Sequence, residues 1–568
     1  MTRSITVALA TALVIVVAAG VRITSQTAAQ TPADLVLRNG RIVTVDDRVP
    51  EAQAIAASGG KIVFVGTNAD VARFVGPSTK VIDLGGQLAI PGFIEGHGHF
   101  TGIGENRINL DLMSTKSWDE IVQMVAQAVE KAKPGEWIIG RGWHQEKWTG
   151  APQPNVEGFP LHASLDKVSP NNPVVLTHAS GHASFVNQKA MESAGITKTT
   201  PNPDGGEILK DTSGNPTGLL REKASGLIRL PAESEDRGRR VLQLADEEVT
   251  SKGITSFVDA GSAFDTIERM KRMVDESKLN VRLWVMVSNS TAPTFGAGLD
   301  SHRMIGYSDN HLTVRAIKMY MDGALGSRGA WLLEPYTDKP DSTGLNTTPL
   351  ETIRAGAQTA IEHNYQVCVH AIGDRGNREV LNIYEDTFKK NNKNGKDLRW
   401  RIEHAQHISA ADIPRFGQLG VIAAMQTNHC TSDAGFVPAR LGDKRSEEGA
   451  YVWQKLMKSG AVVADGTDAP VENVDPIPNY YAAVTRKLAD GRVFYGDQKM
   501  SRMEALHSYT MSNAFATFEE NIKGSLTVGK LADITVLTKD ITKVPDEEIR
   551  TAKVAYTIVG GKVVYQVK

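Results

Sequence analysis

Cysteine is nearly missing from this chain of 568 residues: only Cys368 and Cys430 occur, too few for a disulfide framework. An excess of charge is missing too. The 63 Lys and Arg meet 65 Asp and Glu, a net charge of −2. Without a basic surplus nothing points to nucleic acid, and without an acidic tail nothing points to a basic partner. There is no low-complexity tract and no repeat of about 20–50 residues, which excludes repeat arrays. Long apolar runs are scarce as well. The run at residues 5–20 covers about 16 residues, short of a membrane span. It follows Arg3 and precedes the small residues Thr27-Ala28-Ala29, the layout of a secretory signal peptide over residues 1–29. On this reading the protein is exported, to the periplasm or the medium, with no stable membrane association once the signal is removed. An uncleaved anchor helix is the other reading, and no Cys follows the run to take a lipid.

What remains is an ordinary folding composition, 41% apolar and 23% charged. The length is too great for one small core and predicts a large domain with an appendage. Residues 34–90 read as short strands and turns, with Asn39-Gly40 as a hairpin signal inside LVLRNGRIVTVD. Residues 520–568 repeat that style and close on a second hairpin at Gly560-Gly561. Two strand-rich ends predict one small β-sandwich built from both termini.

Residues 91–519 alternate. An apolar strand through LAIPGFIEG is followed by strands at 253–261, 280–288, 313–323, 366–373, 399–406, 420–428 and 461–470, most separated by helical stretches. Eight near-continuous apolar strands alternating with helices predict an α/β fold, a (β/α)8 barrel around a parallel sheet. Residues of about 101–235 exceed what one βα unit needs. This Trp-, Pro- and Gly-rich stretch is an expected insertion on the catalytic face, a candidate lid or substrate pocket.

Five strand ends carry metal-ligand side chains: His97 and His99, Lys318, His370, His404 and Asp468. His97 and His99 share one face of an extended segment. His370 and His404 supply neutral imidazole nitrogens. An aspartate beside a metal can ligate it and accept a proton, which makes Asp468 the candidate catalytic residue; Asp465, on alternation grounds, points elsewhere. Lys318 lies mid-strand, where an ammonium is costly. Either it pairs with a carboxylate such as Asp322, or burial lowers its pKa so that the amine takes up carbon dioxide and becomes a bridging carbamate. Cys368 shares the face of His370 and reads as a small buried hydrophobe. His182, Asp322 and Arg328 are candidates for substrate binding. Asn428 and His429 end the seventh strand on the same side. Glu403 should face away from His404 into a structural pairing, and Asp374 is either a metal-supporting group or a helix cap.

These motifs, PGFIEGHGHF, GRGWHQEKW, SGHASFVN, IKMYMDGALGSRGAWLLEPY, VHAIGDRGN, RIEHAQ and GTDAPVENVDP among them, resemble the amidohydrolase superfamily, in the amidohydrolase-3 group that includes N-substituted formamide deformylases. The resemblance covers nearly everything after about residue 33. It implies a barrel with a composite β-sandwich and hydrolysis with one or two divalent metals, usually zinc. By the family pattern His97, His99 and Asp468 hold the first metal, His370 and His404 the second, and carboxylated Lys318 bridges. Where many relatives have Asp and Ser, this chain has His144 and Thr467; for His144 a surface or packing role is expected.

The function expected is therefore an exported metal-dependent hydrolase of an amide-type C–N bond in a small molecule. The alternatives are a one-metal deaminase, a hydrolase of esters or cyclic amides, or a secreted binding protein without chemistry. Substrate, metal identity and oligomeric state are not read from the residues.

Overall fold

The computed structural model describes residues 31–567. The signal-peptide segment, residues 1–29, lies outside the described residues, and among those described no helix is long and apolar enough to cross a membrane.

Eight parallel strands form the central sheet: β1 (Phe93–Gly98), β2 (Ile254–Ser262), β3 (Arg282–Ser288), β4 (Leu312–Tyr320), β5 (Gln366–Ala371), β6 (Arg401–His404), β7 (Ile422–Met425) and β8 (Val463–Asp465). They pair in chain order from β1 to β8. The sheet curls until β8 returns beside β1, where the Asp468 N–H donates to the His97 carbonyl at 2.7 Å. Nearly every residue of these strands is buried, as a sheet covered on both faces requires. Inward-facing residues from four strands, Val258, Ala260, Trp284, Met286, Ala316 and Cys368, pack the lower interior. This is a filled core rather than a pore. Two residues along the same faces lie Lys318 and His370, so alternation carries the packed layer directly up to the ligand layer.

Strands from both chain ends build the appendage. Leu88–Pro91 lies between Arg41–Val43 and Ile534–Leu537, and the Val554–Val559/Lys562–Gln566 hairpin extends that sheet. A second sheet of Leu35–Arg38, Ala54–Ser58, Lys61–Gly66 and Lys80–Asp83 covers it across a core that includes Leu35, Leu37, Ile55, Ile534 and Val536. Asn39-Gly40 is not a hairpin. Leu35–Arg38 and Arg41–Val43 belong to different sheets, and Asn39, at φ 58°, turns the chain from one to the other. A Cβ on Gly40 would meet Leu84 at 2.4 Å, so the corner needs glycine for closeness, not for a hairpin twist.

After β1 the chain leaves the barrel for a six-stranded mixed sheet, in the order Gly206–Lys210, Pro216–Glu222, Ala183–Val186, Val174–His178, Ile138–Trp143, Leu110–Asp111. Its core gathers Trp118, Trp143, Trp148 and Phe185, which accounts for the tryptophans of this stretch. The insertion is anchored over the barrel mouth by ion pairs. Glu157 receives Arg221 at 2.7 Å within the insertion and Lys339 at 2.9 Å from the loop after β4, and Arg440 reaches Glu146 at 2.6 Å.

Candidate metal centre

The C-terminal ends of β1, β4, β5, β6 and β8 bring His99, Lys318, His370, His404 and Asp468 around one cavity of about 380 Å3, with His97 fully buried behind Asp468. Asp468 Oδ1 lies 3.5 Å from His97 Nε2 and 3.2 Å from His99 Nε2. These three residues offer one ligand atom each within 4.8 Å of one another. The ring of His404 lies 4.8 Å from that of His97 and 4.5 Å from that of His370. His97 Nε2, His370 Nε2 and Asp468 Oδ1 are buried with no hydrogen-bond partner. Buried polar atoms are normally satisfied, so three such atoms within one cluster of histidines and aspartate fit a divalent cation.

The protonation states suit that role. Burial, helped by the charge of Lys318, pushes His97 down to about 4, against the pull of Glu403. Burial also holds His370 and His404 well below 6.5. Neutral imidazoles are what a metal needs. Burial alone would raise Asp468, but the imidazoles of His99, His404 and His97 around it hold it well below the usual carboxylate range.

Two of the candidate ligands are braced from behind. Glu403 bonds His97 Nδ1 and is gripped by both arms of Arg401, at 2.7 and 2.8 Å, all three fully buried. His404 Nδ1 meets Gln426 Oε1 at 2.7 Å. His404 and Asp468 both sit at positive φ, 74° and 58°. Such backbone costs of order 1–3 kcal/mol per residue and persists where the surroundings over-determine it, characteristically at functional sites.

Lys318 is 1% exposed. Among the described residues it makes no ion pair and no side-chain hydrogen bond; its Nζ lies 4.8 Å from the centre of the Tyr320 ring. The Asp322 pairing is absent. Asp322 instead accepts from the backbone N–H groups of Ile372, Gly373 and Trp331 at 2.7–2.9 Å, with Oδ1 3.7 Å from His370 Nε2.

The amidohydrolase family profile matches residues 80–565. The chain belongs to the amidohydrolase family. It is 33% identical to the protein LONG AFTER FAR-RED 3 of Arabidopsis thaliana over 94% of this chain and 92% of that one. It is 26% identical to the N-substituted formamide deformylase of Arthrobacter pascens, over 94% and 98%. Among solved structures, an uncharacterised metal-dependent hydrolase of Pyrococcus horikoshii OT3 is similar at TM-score 0.71 and 26% identity, covering 90% of this chain and 99% of that one.

In this amidohydrolase the insertion supplies the other wall of the cavity. The His182 ring lies 4.8 Å from that of His370, and its Nδ1 is 2.7 Å from Glu222 Oε2. His144 is not at the surface: it is buried, packed against His178 and stacked on Phe436, where it lines a side chamber shared with His182 and His370. Arg328 is a correction. At φ 62° its guanidinium turns to Asp338 at 2.9 Å and does not line the cavity. Asp322 lines it, but with both oxygens committed to backbone amides, so it orders the loops after β4 and β5 instead of receiving substrate. Asp374 is not a cap; its carboxylate accepts the Leu333 N–H at 2.9 Å and fixes the loop after β4. Sequence reasoning missed Arg141, His178 and Glu222 as cavity residues, and took Glu403 as structural although it orients His97.

Proposed function

We propose that this protein is an exported hydrolase cleaving an amide-type C–N bond in a small molecule, with His97, His99, Lys318, His370, His404 and Asp468 as its metal ligands. The observation that carries this is the set of unpartnered buried atoms: His370 Nε2 and Asp468 Oδ1 at the cavity wall and His97 Nε2 directly behind, 3.5 Å from Asp468 Oδ1. Four imidazoles with carboxylate suit zinc among the available divalent ions. A divalent ion bound there supplies Lewis acidity, polarising a substrate carbonyl and making water a stronger acid.

The chain's own groups do the rest. Asp468, held ionised, takes the proton of the attacking water at a carboxylate oxygen and delivers it to the leaving nitrogen as the C–N bond breaks. His97, His370 and His404 stay neutral and donate nitrogen lone pairs. Glu403 and Arg401 keep the His97 ring from turning. Lys318, buried without an ion pair, would supply further oxygen ligands if its amine added to carbon dioxide with loss of one proton to give a carbamate. The insertion limits the entry of bulk water.

One observation favours a second reading, a one-metal enzyme of the deaminase type: only His97, His99 and Asp468, among the described residues, already hold ligand atoms within 4.8 Å. Metal analysis of purified protein separates the two, with about two ions per chain expected for the carbamate-bridged site and about one for the other. Hydrolysis of members of a panel of formamides, N-acyl amino acids and esters tests the chemistry; turnover of esters alone would overturn the C–N assignment. Export rests on residues 1–29. Mass spectrometry of exported protein should find the chain starting near residue 30; an intact Met1 would favour an anchor.

A further inference from the structure

Arg141 lies on the insertion strand Ile138–Trp143. In a regular strand it would share a face with Trp143. The pairing with Val174–His178 slips between those two residues. Trp143 enters the aromatic core of the insertion, while Arg141 lines the main cavity with His99, His182, Lys318 and Asp468. The residue between them, Gly142, has φ 111°, and a Cβ there would sit 2.5 Å from Met113 Cγ. The irregularity is thus built into the strand and re-aims one side chain.

A guanidinium has five N–H donors. Arg141 uses one for certain, Nη2 to the Ala179 carbonyl at 3.2 Å, and its Nε is buried without a partner. Among the described residues it makes no ion pair. Arg141 is half-buried, and the fully buried arginines differ from it. Arg221, Arg282, Arg401 and Arg440 each hold a carboxylate at 2.6–2.8 Å, and Arg486 donates to two carbonyls and stacks on Trp453. No carboxylate is paired with Arg141, although Asp468 and Glu105 lie close enough to act on its charge. Asp468 faces His97 and His99, Asp322 is held by three amides, and Glu222 is paired with His182. Lys223, exposed at the cavity rim, is likewise without an ion pair among the described residues. A half-buried guanidinium with a buried, unpartnered Nε and no ion pair is poised to take a carboxylate from solution.

We propose that Arg141 is a specificity-determining residue that binds a substrate carboxylate, so that the preferred substrates are acidic amides of the N-acyl amino acid class. This rests on the amide hydrolysis proposed above. The carboxylate pairs with the planar guanidinium, Lys223 adds attraction at the entrance, and the acyl carbonyl is left facing the histidine and aspartate cluster. Hydrolysis adds water across the C–N bond and releases a carboxylic acid and an amino acid.

The test is binding as well as turnover. Calorimetry of the metal-loaded full chain, repeated after chelation, compares N-formyl and N-acetyl amino acids with their primary amides. The acids should bind wild type about tenfold more tightly or better. Arg141→Gln should erase that preference by weakening the acids alone, and Arg141→Lys should retain part of it, which controls for misfolding. The proposal is overturned if acids and amides bind wild type alike, if Arg141→Gln keeps the preference, or if that variant lowers kcat equally for acidic and neutral amides, the mark of a group acting on the scissile carbonyl. Acid preference through Arg141 with no amide hydrolysed would sink the hydrolytic reading and leave the anion site. Hydrolysis of neutral amides without preference would do the reverse.

Discussion

Two walls enclose the cavity, and they are made differently. The barrel wall is a ring of strand ends with ligands clamped from behind, as Glu403 and Arg401 clamp His97. The insertion wall is a separate sheet with its own tryptophan core, fastened over the mouth by partly exposed ion pairs. Its functional groups, His182, Glu222 and Arg141, stand on strand ends and a loop outside the barrel. Rigidity sits where the metal chemistry needs fixed donors, and variability sits where substrates differ.

The sharpest way to break this division is to remove a barrel ligand. His97→Ala or His370→Ala should lose metal and fall below detectable hydrolysis with circular dichroism unchanged. His182→Ala, on the opposite wall, should keep its metal and shift KM. Equal metal loss in all three would erase the distinction between the walls.

Next in size is Lys318→Ala. Metal content should fall from about two ions per chain toward one or none, and a small carboxylic acid at high concentration should restore part of the activity. An unchanged metal count with no rescue would reduce the barrel wall to a one-metal site.

Glu403→Gln tests the clamp. Loss of a group that orients a ligand lowers metal affinity by about 10–100-fold, measurable by competition with a chelator. A variant that binds metal as tightly as wild type would show that the barrel wall needs no bracing.

The smallest effect belongs to the fastening of the insertion. Burial acts to raise Glu157, but Arg221 and Lys339 outweigh it and bring the carboxyl from 4.5 to about 2. Because the folded value is the lower one, this stabilisation is complete above pH 4.5 and fades as pH falls toward 2. The carboxylate is 31% exposed, so the contribution is about 1 kcal/mol or less. Acid unfolding of Glu157→Gln should converge on wild type across that window. A constant gap between the two would assign the effect to packing.

The same division governs what could be read from the residues. The barrel was legible because buried parallel strands write themselves as apolar runs, and because His97, Lys318, His370, His404 and Asp468 interrupt those runs at their ends. All eight strands lie where the apolar runs placed them. The insertion was legible only as excess length. Arg141 escaped notice because its aim depends on a strand irregularity, and regular alternation buries it with Trp143. Asn39-Gly40 misled because a tight turn dipeptide serves equally for a corner between two sheets. Arg328 sits near the right strand end, but its direction is set by positive φ and by Asp338, which is remote until the chain is folded.

The return of β8 beside β1 has a consequence for how the molecule is assembled. No ladder of paired strands closes that seam. It is stitched by the Asp468 N–H to the His97 carbonyl, the His99 N–H to the Ala469 carbonyl, and the Thr467 N–H to Glu95. His97 leaves the ribosome some 370 residues before Asp468, so the two meet only when the ring of strands is complete. If the proposed site binds metal, an ion held by His97 and Asp468 would act as a rivet across that joint. Metal at a hundred times its dissociation constant would then hold that joint shut with about 2.7 kcal/mol, making the loaded protein slower to unfold from the seam than the empty one.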